Sequence, residues 1–329
     1  MVRYGEIRLF AGNSNPALTT KIAAELGVPL GDIDVGRFSD GEVQVKINES
    51  VRGTDCFLLQ STCHPCNDNL MELLIMSDAC RRGSAARIVA VLPYFGYARQ
   101  DKKSRGREPI SAKLVANLIT TAGANRVLAL DMHTDQIQGF FDIPVDHLFA
   151  RKIVADYFLE QGMTGEDIVV VSPDVNAVNE AMQLADELHA SLAIVAKRRL
   201  RPNVAQVLEL IGDLDDKVAI ILDDMIDTAG TVVEGAKAVM ARGAREVHVA
   251  ATHGVLSGPA YDRLSDPAIK SLVVTDTIPV PPDKHMDKMR VLSVAPLLAQ
   301  AIDHIHQDES VSQILATWHD SHGHGSSAS

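Results

Sequence analysis

The chain has 329 residues, 46% of them hydrophobic but only 4% aromatic, and a formal net charge of -12. That length fills one large core or two of about 150 residues each, packed mainly by Val, Ile, Leu and Ala. The acidic balance argues against a broad nucleic-acid surface, and no run of about 18 apolar residues offers a membrane span, so positive charge is to be sought locally, where an anion binds.

The first residues, Met1-Val2-Arg3-Tyr4-Gly5-Glu6, carry an acid early and run into a strand-like stretch, which is not the pattern of a signal peptide; a cytoplasmic protein is expected. Apolar, β-branched runs then recur at 56–60, 87–92, 127–130, 168–171, 192–195, 218–222, 247–251 and 272–274. Between most of them lies helical periodicity, as in Leu114, Leu118 and Ile119, or Val232, Val233, Ala236, Val239 and Met240. Strands alternating with helices predict an α/β fold with mostly parallel sheets flanked by helices, and runs that are continuously apolar fit strands covered on both faces. Residues 87–133 and 218–253 share one order of strand, polar loop, helix and strand, which suggests two similar domains, 1–147 and 148–318. The final stretch, 319–329, is His, Gly, Ser and Ala with one Asp and reads as a disordered tail.

The four cysteines, Cys56, Cys63, Cys66 and Cys80, fall in one short window, which is not a secreted disulfide framework. Cys63-His64-Pro65-Cys66 has redox or zinc spacing but lacks a second pair, and the plainer reading is a reduced loop.

The most informative segment is Asp223-Asp224-Met225-Ile226-Asp227-Thr228-Ala229-Gly230-Thr231. A buried strand at 218–222 delivers it and a helix from about 232 to 243 follows. Thr228 to Thr231 then stand at a helix start, where free N–H groups, two hydroxyls and the helix dipole favour a phosphate. Gly230 permits close backbone approach. Asp223 and Asp224 would repel a phosphate and suit sugar hydroxyls or a nearby metal. The structural alternative is an acidic strand end with a threonine cap.

Other motifs accompany it in order: Phe38-Ser39-Asp40-Gly41-Glu42; Tyr94-Phe95-Gly96-Tyr97-Ala98-Arg99-Gln100-Asp101; Asp131-Met132-His133 leading into Gln136-Ile137-Gln138-Gly139; Ser172-Pro173-Asp174; and Lys197-Arg198-Arg199 before Arg201-Pro202-Asn203. By themselves a lone His at a strand end is more often structural and a basic run is more often a solvated face. Together, over residues 9 to 312, they resemble the class I ribose-phosphate diphosphokinases.

That resemblance implies two phosphoribosyltransferase-like domains and a homo-oligomer, typically a hexamer. It implies transfer of the diphosphate of Mg-ATP to O1 of ribose 5-phosphate, giving phosphoribosyl diphosphate and AMP. Phe38 would pack on adenine and Asp40 and Glu42, flanking Gly41, would accept from its amino group, all from a neighbouring subunit. Arg99 and Gln100 would hold the ATP phosphates, and His133 and Asp174 would contact Mg²⁺. Lys197 and Arg199 would stabilise transition-state charge. Arg199, Asp223, Asp224, Asp227, Thr228, Ala229, Gly230 and Thr231 would hold ribose 5-phosphate.

One segment departs from the family pattern. After Ser172-Pro173-Asp174 the family carries roughly Asp-x-Gly-Gly-x-x-Arg-Ala, whereas this chain reads Asp174-Val175-Asn176-Ala177-Val178-Asn179-Glu180-Ala181. The glycines are gone and Glu180 replaces an arginine, which points to weaker diphosphate binding. An active enzyme is expected; the alternative is a weak or inactive homologue that regulates an active partner.

Overall fold

The computed structural model describes residues 4–175, 177–198, 207–314 and 318. They form two compact units, one taking residues up to Phe149, Thr277–Pro279 and the described residues from Ser293 on, the other Ala150–Asp276 and Val280–Leu292.

The first unit opens with β1 (Ile7–Ala11) and α1 (Pro16–Leu26), then β2 (Ile33–Arg37), β3 (Val43–Ile47), β4 (Asp55–Leu59), α2 (Cys66–Arg82), β5 (Arg87–Leu92), α3 (Ser111–Ala122), β6 (Arg126–Leu130) and β7 (Val145–Leu148). Helix α1 shows the local logic. Asn15 accepts the Leu18 N–H at 3.2 Å, Pro16 opens the helix, and Gly27 ends it at φ 66°, a left-handed conformation that suits glycine. The main sheet runs β1-β4-β5-β6-β7 with every pairing parallel. Every residue of β4 and β5 is buried, as expected of strands covered on both faces. Strands β2 and β3 form a separate antiparallel hairpin whose inward side chains, Ile33, Val35, Val45 and Ile47, join the unit's core.

The second unit comprises α4 (Arg151–Glu160), β8 (Ile168–Ser172), α5 (Val178–Glu187), β9 (Ser191–Arg198), β10 (Val207–Ile211), β11 (Val218–Ile226), α6 (Gly230–Ala241), β12 (Glu246–Gly254), α7 (Ala260–Leu264), β13 (Ser271–Thr275) and β14 (Met289–Leu292). Its sheet order is β10-β9-β8-β11-β12-β13-β14, parallel except for the β9–β10 pair. The α/β architecture of two mostly parallel sheets flanked by helices is as expected. The repeated pattern is also present, since β5-α3-β6 and β11-α6-β12 are both right-order strand–helix–strand units with parallel pairing.

Helix α8 (Ala295–His306) belongs to the first unit, so a contiguous domain over 148–318 is not what forms. The reason is packing and charge. Helix α8 buries Leu297, Leu298, Ala301, Ile302 and Ile305 and lies against α1. At its end Arg87, on β5, makes a two-pronged bond to Asp55 on β4 at 2.8 and 2.5 Å and donates to the Ile305 carbonyl at 2.8 Å. The His306 ring meets the same fully buried Asp55 carboxylate at 2.9 Å. The tail at 319–329 lies outside the described residues.

Candidate active site

In the second unit, β11 runs on to Ile226, so Asp223 and Asp224 sit within the strand; its far end stays paired with β12 through Met225–His253 and Ile226–Gly254. Asp227 and Thr228 turn the chain, and Ala229 precedes α6 at φ 60°, ψ 6°. For a residue with a Cβ that left-handed conformation costs on the order of 1 kcal/mol, a strain characteristic of functional turns. No side chain caps α6, and Thr228 and Thr231 are both exposed at its start. The first-turn N–H groups and the positive end of the helix dipole therefore face outward between two hydroxyls, which is what an anion requires.

The loop is held from behind. Leu256 and Ser257 donate their N–H groups to the Ile226 and Asp227 carbonyls at 2.9 and 3.0 Å, the Ser257 hydroxyl bonds the Asp227 carboxylate, and Arg263 Nη1 donates to the Thr228 carbonyl at 2.9 Å. On the strand side, burial holds the Asp223 carboxyl well above the usual carboxylate range; the adjacent Asp224 charge adds to this, and the Asp174 charge contributes less. The Asp224 and, more weakly, the Asp174 charge thus both disfavour ionisation of Asp223. Asp174 also shapes its own turn, its side chain accepting the Ala177 N–H at 3.2 Å while its carbonyl accepts from Ser172 Oγ at 2.7 Å.

In the altered segment, Glu180 does not point its charge at an open site: Arg151 on α4 donates to it at 2.7 Å and to Glu187 at 3.3 Å. Val175 is exposed, and Asn176 lies outside the described residues. Lys197 occupies β9, its backbone in register with Leu208 of β10. Arg199 lies outside the described residues.

In the first unit, Phe38, Asp40, Gly41 and Glu42 form the tip of the β2–β3 hairpin. Phe38 donates to the Glu42 carbonyl at 2.8 Å, Gly41 takes φ 96°, and half of Phe38 remains in solvent (50%). An aromatic ring left exposed on a tightly turned tip is suited to stacking. The first turn of α2 neighbours both this hairpin and the segment after β5: Asp68 pairs with Arg37 at 3.0 Å, Asn67 accepts from the Tyr97 hydroxyl, and the Arg99 charge acts on the Cys66 thiol. Tyr97 is itself left-handed, at φ 65°. Gln100 is anchored by Ser111, whose hydroxyl donates to Oε1 at 2.7 Å.

Two residues to which sequence reading assigned no role join these segments. Buried Asp101 accepts from Thr134 Oγ1 at 3.0 Å and Gln136 Nε2 at 2.9 Å, tying the Arg99–Gln100 segment to the one that carries His133. His147 Nε2 accepts the Met132 N–H at 2.9 Å, next to Asp131 with its φ of 35°. His133 emerges exposed from that braced turn. Asp101 was visible inside a quoted motif, whereas His147 and Arg263 carry no local signal, since their partners are contacts made by folding. Burial raises the thiols of Cys63, to about 11, and of Cys66, which fits a reduced loop. Among the described residues no group of three or more His, Cys, Asp or Glu is arranged to hold a metal by itself.

An acidic strand end that feeds an uncapped helix start, in a chain of two parallel-sheet units, defines an α/β enzyme of the phosphoribosyl-handling class. Profiles of the N-terminal domain of ribose phosphate pyrophosphokinase and of the phosphoribosyl synthetase-associated domain match residues 7–123 and 178–316. The chain belongs to the ribose-phosphate pyrophosphokinase family. It is 56% identical over 316 residues to the ribose-phosphate pyrophosphokinase of Caldanaerobacter subterraneus subsp. tengcongensis, covering 96% of this chain and all of that one. The Bacillus subtilis protein of the same name is 54% identical, with 95% and 99% covered. The crystal structure of phosphoribosylpyrophosphate synthetase from Mycobacterium smegmatis superposes with a TM-score of 0.87 at 48% identity, over 92% of this chain and 100% of that one.

Proposed function

We propose that this chain is a working ribose-phosphate diphosphokinase: O1 of ribose 5-phosphate attacks the β-phosphorus of ATP, the bond from that phosphorus to the α-phosphate oxygen breaks, and AMP leaves. The observation that carries this reading is the 223–231 segment, where two carboxylates and an uncapped helix start lie on one continuous strand–turn–helix; we assign the carboxylates to ribose hydroxyls and the helix start to the 5-phosphate. Phosphoryl transfer depends mainly on positioning and charge, so a dedicated general base is not required. Lys197 and Arg199 are the residues we assign to the charge that builds on the equatorial and bridging oxygens, with a contribution of roughly 3 kcal/mol each, as for other preorganised donors. Arg99 and Gln100 are assigned to the ATP phosphates, and Phe38, Asp40 and Glu42 to adenine, supplied by a neighbouring copy in a homohexamer.

Magnesium is the expected cofactor. It is usually held by substrate phosphates with one or two protein groups, where it neutralises phosphate charge. In the second unit Asp174 would supply the carboxylate oxygen that such a role asks for. The site has no use for a membrane or a nucleic acid, and among the described residues no helix is long and apolar enough to cross a bilayer. ATP and ribose 5-phosphate are cytoplasmic metabolites, and we place the protein there. The direct test is AMP formation from Mg-ATP. Release that depends on ribose 5-phosphate supports the reading; AMP at the same rate without the sugar, or none at all, overturns it.

A further inference from the structure

We infer that Arg263 is a positioning residue for the 5-phosphate of the acceptor sugar, a deepening that rests on the reading of 228–231 as the phosphate loop. Arg263 lies on the short α7, which packs against α6, and reaches back to the loop that opens α6. Its Nη1 donates to the Thr228 carbonyl at 2.9 Å. A peptide unit is planar and trans, so its carbonyl and the following N–H point in opposite directions. Fixing the Thr228 carbonyl towards Arg263 therefore turns the Ala229 N–H to the other side of the loop, away from the guanidinium. Ala229 is the residue whose left-handed φ of 60° is strained, and strained backbone persists where neighbours over-determine it. The Arg263 bond is one such determinant.

Gly230 lies against the same guanidinium. A Cβ built there would lie 3.1 Å from the same Nη1, tighter than ordinary contact, so a side chain at 230 would press on the guanidinium and shift it by a few tenths of an ångström. The arrangement sets a permanent cation against one side of the loop and the first-turn N–H groups on the helix axis, both favouring a phosphate dianion. Arg263 thereby raises affinity for the phosphorylated sugar without touching the diphosphate donor or the reacting atoms.

The experiment compares Arg263→Ala, Arg263→Lys and Arg263→Gln with Thr228→Glu by steady-state kinetics on the full chain, with circular dichroism as a folding control. Arg263→Ala is expected to raise KM for ribose 5-phosphate at least about tenfold, a loss of about 1.4 kcal/mol, while kcat and KM for ATP change less than about threefold. Arg263→Gln keeps a donor without the charge and Arg263→Lys keeps the charge without the fork, so each should recover part of the loss. Should Arg263→Ala fail to fold, these two variants carry the test alone. If KM for ribose 5-phosphate is unchanged in the Arg263 variants but rises in Thr228→Glu, the inference falls and the phosphate loop stands. If Thr228→Glu leaves that KM unchanged, the loop itself has been misplaced. A fall in kcat with KM constant would mark Arg263 as merely structural and sink the proposal.

Discussion

Glu180 offers the sharpest test of how the altered segment works, because sequence and structure give different expectations for it. Read against the family pattern, Glu180 places a negative charge near an anionic site, and restoring arginine should help. In the fold, the charge is already taken up by Arg151 at 2.7 Å, with side-chain exposures of 11% for Arg151 and 34% for Glu180. Unit charges about 4 Å apart interact by about 4 kcal/mol at an effective dielectric of 20. Solvent at the exposed end of Glu180 and side-chain entropy reduce the net value to about 1 kcal/mol. Glu180→Ala should therefore lower the melting temperature by roughly 2–4 °C for a unit of this size, and Glu180→Arg by about twice that, since attraction becomes repulsion. Turnover of Glu180→Ala should change less than about threefold, because a paired charge projects little field. The measurements are thermal unfolding at fixed protein concentration and initial rates at saturating substrates. A double-mutant cycle with Arg151→Met isolates the pair. If Glu180→Arg destabilises equally with Arg151 present or absent, the ion pair is not the cause and the argument fails. Adding Gly at 176 and 177 to Glu180→Arg should raise turnover, through backbone amides freed to turn towards the diphosphate; a slower triple variant would show the native segment to be a working alternative.

Three further outcomes follow from the site. Lys197→Ala should lower kcat at least about a hundredfold with ATP affinity nearly unchanged, and near-normal turnover would remove Lys197 from the mechanism. The active form should be an oligomer, since the Phe38 hairpin is expected to serve a neighbouring copy; a fully active monomer by light scattering would refute the shared adenine pocket. Asp223→Asn should stabilise the ligand-free protein with a defined pH dependence. The folded-state pKa of Asp223 is raised, so its contribution is fully present below the unfolded value of 3.8 and is lost as pH rises through the folded value. The melting-temperature advantage of Asp223→Asn should thus be absent near pH 3.8 and open as pH climbs, while ribose 5-phosphate binding falls. An advantage that stays constant with pH would mean that the buried carboxylate carries no such penalty.

Much of this was legible in the chain because the central strands are parallel and doubly covered, which writes them as unbroken apolar runs; 87–92 coincides with β5. Strand β11 extends four residues past its expected end because Asp223 and Asp224 are poor strand formers that the pairing with β12 holds in the sheet. Helix α6 begins at Gly230, earlier than Val232, because glycine and threonine hide the first turn from periodicity, although that turn is the proposed phosphate loop. The β2–β3 hairpin alternates polar and apolar residues over only five-residue strands, and its inward face is set by packing against α2 and the unit's core. Arg151 and Glu180, or Arg263 and Thr228, are separated by 29 and 35 positions, and no local rule links them.

The bond between His306 and Asp55 spans 251 positions and closes the first unit with a helix from near the chain's end. During synthesis, the first unit's sheet strands emerge from the ribosome before α8, so the α1 surface that α8 covers is at first bare. It stays so until the second unit's residues have been made, roughly 7–28 seconds at about 5–20 residues per second. The second unit can meanwhile complete its fold, so the first to be translated is the last to be finished. Expressed alone, the first 149 residues would keep that bare surface, and supplying α8 in trans is the way to cover it.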